Sequence, residues 1–135
     1  MDWLYVIGRV LFSLIFLASG FAHLAQSNAM SQYAASKGVP AAKAATILSG
    51  LMILAGGISV LLGVYMEIGT WLIVFFLVPT SYMMHDFWAV DDPVQKSVER
   101  AQFMKNMSMT GAALVLYWLV QTHGYGPFVL GRPIS

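Results

Sequence analysis

The side chains able to do chemistry in this chain are few, and most sit at the ends of long apolar stretches. His23 closes one stretch, His85 and Asp86 close another, and Lys105 and Asn106 open the last. Imidazole, carboxylate, amine and amide gathered at one level can exchange protons with a small polar group or grip its head. Arg9 and Glu67 stand near the other ends of their stretches and offer a guanidinium–carboxylate ion pair. No residue carries the signature of a catalytic nucleophile with its base. The chain has no cysteine, which excludes disulfides, Fe–S ligation and thiol redox chemistry. Any redox role must therefore borrow a cofactor. His23, His85 and Asp86 are three nominal metal ligands, but they lack a ligand-spacing signature, and the two histidines fall too near an interface for a b-type haem. Neither metal nor haem is expected, and His123 falls on the opposite face from the other two.

The elements that must position these groups are membrane helices. Hydrophobic residues make up 59% of the 135 residues and charged ones 10%, with a mean hydropathy of +0.72. Soluble domains carry about 25% charged residues, so too few charges are present here to cover a water-facing surface. A net charge of +1 gives no basic field for nucleic acid. Four stretches, 4–24, 44–64, 68–84 and 103–120, are long enough to cross a bilayer as helices. The first lacks a basic leader, and Ser27-Asn28-Ala29 is a poor cleavage context, so it is expected to remain as a span. Pro79 frees the carbonyl of Phe75 and predicts a kink. The expected fold is an all-α integral membrane four-helix bundle with short loops, one transmembrane domain over 1–135.

The loops distinguish two sides. A tight hairpin of Tyr65, Met66 and Glu67 joins the second and third stretches. Longer loops at 25–43 and 86–102 share the opposite side, and the latter can hold a short interfacial helix over 94–101 capped by Asp91-Asp92-Pro93. Lys37, Lys43, Lys96, Arg100 and Lys105 lie on this loop side, against Arg9 and Arg132 on the terminal side, so the positive-inside rule leans the loops toward the cytoplasm. Trp3, Tyr65, Trp71, Trp118 and Tyr125 are expected in one interfacial belt, and Tyr33, Tyr82 and Trp88 in the other. Helical spacing gathers Arg9, Ser13, Phe16, Gly20 and His23 on one face, Glu67, Thr70, Val74, Ser81 and His85 on another, and Gln102, Asn106, Met109 and Ala113 on a third. Chain direction then predicts two polar layers. Arg9 and Glu67 form a structural ion pair on the terminal side, and His23, His85, Asp86, Lys105 and Asn106 form a candidate cofactor-binding pocket on the loop side. Plainer roles compete: charge balance for Arg9 and Glu67, headgroup contact for the histidines, snorkelling for Lys105, and a helix end for Asp86. The second stretch carries a small-residue line through Ser49, Gly56 and Gly63, suited to packing on other membrane subunits. His23 and Lys43 share the interval of His85 and Lys105, a weak sign of a 2+2 helix repeat that would bring both histidines and both lysines to one pocket.

These residues, read in order, resemble the DoxX family: Arg9-Val10-Leu11, Ser19-Gly20-Phe21-Ala22-His23-Leu24, Gly50-Leu51-Met52-Ile53-Leu54-Ala55-Gly56-Gly57, Leu61-Leu62-Gly63, His85-Asp86-Phe87-Trp88 and Phe103-Met104-Lys105-Asn106. The resemblance implies a four-helix bacterial membrane protein. Some relatives are subunits of a thiosulfate:quinone oxidoreductase, and others are linked to membrane redox and detoxification systems. Relatives often carry glutamate where Ile53 stands and a basic residue near Glu67; if acid–base chemistry in relatives uses the carboxylate at the Ile53 position, this chain would lack it.

The expected function is an accessory or anchoring subunit of a respiratory or quinone-linked complex in the bacterial cytoplasmic membrane, not an enzyme on its own. A quinone- or lipid-binding redox component is the alternative, with quinone the possible cofactor. A small transporter-like oligomer gated by Arg9 and Glu67 is the third.

Overall fold

The structure is a computed structural model, and residues 1–133 are described. It is all-helical among these residues: α1 (Asp2–Ala25), α2 (Ser27–Ser36), α3 (Ala42–Leu62), α4 (Met66–Met84) and α5 (Pro93–His123), with a 3-10 turn at Phe87–Ala89. Three helical stretches are long and apolar enough to cross a membrane: Asp2–Ala25, Ala42–Leu62 and Met66–Ala89. Their outward side chains fit a lipid surroundings. Leu11, Leu14, Phe21, Leu48, Leu51, Ile58 and Phe75 are all exposed, an arrangement that water would penalise and hydrocarbon would not.

Local chemistry sets the helix ends. Gly63 takes the left-handed conformation that closes α3, and its φ of 67° suits a residue without Cβ. Tyr65 follows with a positive φ, and α4 starts at once at Met66. Asp92 caps α5, its carboxylate accepting from the Gln95 amide at 2.8 Å, with Pro93 in the first turn. The separate interfacial helix expected over 94–101 is therefore the opening of α5, which runs 31 residues without a break. Helix α4 continues through Pro79. The 25–43 loop holds α2, whose Ser31 and Ala34 are buried.

Helix α1 packs on α3, α3 on α4 and α4 on α5. Phe16, Ile53, Val60, Ile73, Leu77, Ala113 and Val120 form the buried core between them. Four buried hydroxyls are absorbed locally: Thr46, Thr70, Ser81 and Thr110 each donate to the carbonyl four residues back.

The small residues of α3 serve this internal packing, which corrects the expectation that they face other subunits. A Cβ on Gly56 would lie 2.8 Å from Ile73 and 2.9 Å from the Gly69 carbonyl of α4. Gly63 is covered by Val129, and Ser49 turns into the cavity described below. Close helix approach needs small residues wherever it occurs, and here both partners belong to one chain.

After α5 the chain folds back as a strap across the terminal end. Leu130 N–H donates to the Leu62 carbonyl at 2.9 Å and Gly131 N–H to the Gly63 carbonyl at 2.8 Å. Tyr125, expected in an interfacial belt, is buried at the start of this strap instead.

Candidate functional site: a loop-side cavity

A cavity of about 560 Å³ opens among α1, α2, α3, α4 and α5 toward the loop side. Its walls are mainly apolar, with Phe16, Phe76, Leu77 and Met109 among them. Four of the five candidate pocket residues line it: His23, His85, Lys105 and Asn106. The chain reverses between these helices, so the end of α1, the end of α4 and the early part of α5 reach one level. Glycine positions that level on the α1 side, because Gly50 of α3 lies where a Cβ would stand 2.6 Å from His23 Cβ.

Both histidines and Lys105 are held by named partners. His23 Nδ1 lies 2.7 Å from the Ser19 carbonyl oxygen, and its ring meets Phe76 edge-on at 5.6 Å. His85 Nδ1 lies 2.7 Å from Glu99 Oε2. Glu99 is buried and accepts a second bond from Gln95 Nε2 at 3.0 Å. Lys105 is exposed at the rim and donates to Gln102 of its own helix. Asn106 is buried.

Asp86 does not line the cavity. It receives Lys37 Nζ at 2.6 Å, tying the end of α2 to the end of α4. The carboxylate beside it holds the Lys37 ammonium above the usual lysine range. Helix α2 thereby covers one wall, with Met30, Tyr33 and Ala34 on the cavity. Lys43 likewise stays outside, donating to Ser27 and Asn28, so only one of the two lysines in the suspected repeat reaches the site.

Glu99 is a further polar residue at this level, and nothing in its immediate sequence marks it. The face through Asn106 and Gln102 continues one turn back to Glu99 once α5 is treated as a single helix.

The terminal layer is built differently. Arg9 is buried, and its guanidinium donates to Pro127 O at 3.0 Å, Phe128 O at 2.8 Å and Leu61 O at 3.0 Å. Tyr125 donates to Glu67, and its hydroxyl accepts from the Met66 amide at 3.1 Å. Burial and the Glu67 carboxylate push the Tyr125 phenol up from 10.0 to about 12. A raised phenol stabilises the fold fully below its unfolded value and loses that contribution as pH climbs through its folded value. The melting temperature in detergent is therefore expected to fall between about pH 10 and pH 12. In Tyr125→Phe that fall should be shallower; parallel curves for the two proteins would contradict the assignment.

No match was found among curated proteins or among solved structures. The DoxX family pattern matches residues 4–86, from the first turn of α1 to the end of α4, with Glu99, Lys105 and Asn106 beyond its limit. A match over more than half of the sequence, spanning three apolar helices and both cavity histidines, assigns the family: this chain belongs to the DoxX family of membrane proteins.

Proposed function

We propose that the protein binds a lipid-soluble ligand with a polar head, of the quinone class, in its loop-side cavity. One observation carries this reading: apolar walls from several helices converge with His23, His85, Lys105 and Asn106 on a single space of about 560 Å³. Small-molecule sites are typically about 300–1,000 Å³, mostly apolar, with a few placed polar groups. Sited at the end of membrane helices, such a space admits a hydrophobic tail from the bilayer and offers its head polar partners.

In this proposal α5 is the fourth span. Its 31 residues rise about 1.5 Å each, enough for the hydrocarbon core with a polar first part left over. Leu114, Val115 and Trp118 are exposed along its second half, as lipid contact requires. The loop-side lysines and Arg100 favour a cytoplasmic position for the cavity mouth in a bacterial cytoplasmic membrane. Arg9 and Glu67 are both buried and both tied to the strap, Arg9 through backbone carbonyls and Glu67 through Tyr125, which suits a structural role for the terminal layer.

The test is retention. Protein purified in mild detergent is expected to release quinone on solvent extraction, and Lys105→Ala and Asn106→Leu, which remove the hydrogen-bond donors on the cavity, to lower that amount at least about tenfold, the worth of roughly one lost hydrogen bond to a charged or fixed group. Unchanged quinone in both variants overturns the site. A stoichiometric partner chain, with no quinone bound, would return the protein to an anchoring role.

A further inference from the structure

The hydrogen bonds that hold the two cavity histidines also fix what those rings can offer. His23 Nδ1 faces the Ser19 carbonyl oxygen at 2.7 Å. A carbonyl only accepts, so Nδ1 carries the proton, and Nε2 of the neutral ring is left with its lone pair. His85 Nδ1 faces Glu99 Oε2 at 2.7 Å, and the carboxylate accepts in the same way. Gln95 donates to the other Glu99 oxygen at 3.0 Å and keeps the carboxylate turned toward His85. A neutral ring has one N–H, and in both histidines that donor is spent on the protein. Nε2 is the remaining polar atom of each, and in the neutral ring it is an acceptor. Glu99 is a positioning residue here, acting through His85.

We infer that the cavity is built for the hydroxyl-bearing, reduced form of its ligand, with His23 and His85 each accepting a hydrogen bond from a ligand hydroxyl. This rests on the quinone-class reading above. A hydroquinone carries two O–H donors on opposite sides of one ring, and each hydroxyl oxygen also accepts. It can therefore satisfy the histidine acceptors while taking hydrogen bonds from Lys105 and Asn106. A quinone has carbonyl lone pairs only. It can use Lys105 and Asn106, but it places lone pair against lone pair at a neutral imidazole and leaves that acceptor unpaired, which costs more than a missing contact in a dry site.

The full chain in detergent micelles should be titrated anaerobically with a short-chain benzoquinone and, in the presence of excess reductant, with its hydroquinone. The hydroquinone is expected to bind roughly tenfold more tightly, the worth of about one net hydrogen bond. His23→Phe and His85→Phe should each weaken the hydroquinone several-fold more than the quinone and so narrow the preference toward unity. Glu99→Leu frees the His85 ring and should narrow the preference in the same direction. If His85→Phe does not fold, His23→Phe tests the same ratio. Equal affinities in the wild type, a quinone preference, or a ratio that no variant changes would overturn the inference while leaving the ligand class intact. Binding of neither form would overturn the quinone-class reading itself.

Discussion

Replacing Arg9 with methionine is expected to destabilise the protein by about 3 kcal/mol or more, the largest loss from any single side chain in the terminal layer. Methionine keeps much of the length and removes the charge and every donor. Three carbonyls then lose their partner at once: Pro127 and Phe128 in the strap and Leu61 at the end of α3. Arg9 is only 5% exposed, so water cannot replace those bonds without opening the packing. Each bond from a charged group is worth about 1.5–3 kcal/mol, and the sum is reduced by the cost of burying the guanidinium itself. Arg9→Lys should recover only part of the loss. One ammonium cannot reproduce a planar fork that reaches carbonyls on two separate segments.

The same substitution should loosen the strap before the helices. Leu130 and Gly131 add two main-chain bonds to α3, but the guanidinium is what anchors the strap to α1. Hydrogen exchange over 124–133 should therefore rise in Arg9→Met, with α3 and α4 still protected. Thermal unfolding in detergent measures the stability loss. A melting temperature equal to wild type would show that these three bonds do not hold the fold.

Much of this architecture is legible from residue order because hydropathy and chain direction are local properties. Runs of apolar residues define spans, and reversing the chain between them sets the depth of every polar residue. That argument alone brings His23, His85, Lys105 and Asn106 to one level. What escapes it depends on contacts between distant residues. Asp86 belongs to that level too, yet it turns to Lys37, because α2 returns the chain across the end of α4. No local pattern announces that return; Met30, Tyr33 and Ala34 have helical spacing, but the segment is short and weakly apolar. Glu99 shares a face with Gln102 and Asn106 only because α5 is one continuous helix, and the polar run at 86–102 gives no local sign of that continuity. The strap reads as a tail, since Gly124, Gly126, Pro127 and Pro133 suppress any periodicity. Its anchor joins residues 118 apart in sequence. The glycines of α3 show the same limit: small residues specify a close approach, not which helix approaches.

That close approach yields the second large effect, which couples fold to site. Gly50→Val is expected to cost about 1–3 kcal/mol and to remove most of the retained ligand. An added Cβ would stand 2.6 Å from His23 Cβ and 3.2 Å from the Gly20 carbonyl oxygen. Valine adds two more methyl groups at a point where neither neighbour is a flexible tip, so α1 must move away from α3. His23 then leaves its place on the cavity wall, and its contact with the Ser19 carbonyl no longer fixes the same approach to a ligand. Gly111→Ala in α5 separates this packing effect from glycine chemistry in general. Nothing lies within 4 Å of a Cβ built at Gly111, so the change should be neutral or add up to about 1 kcal/mol through the lower entropy of the unfolded chain. Opposite signs at the two glycines, with ligand lost only in Gly50→Val, are the expected result in melting and extraction measurements. Equal stability and equal ligand retention in both variants would mean that the α1–α3 contact does not position His23.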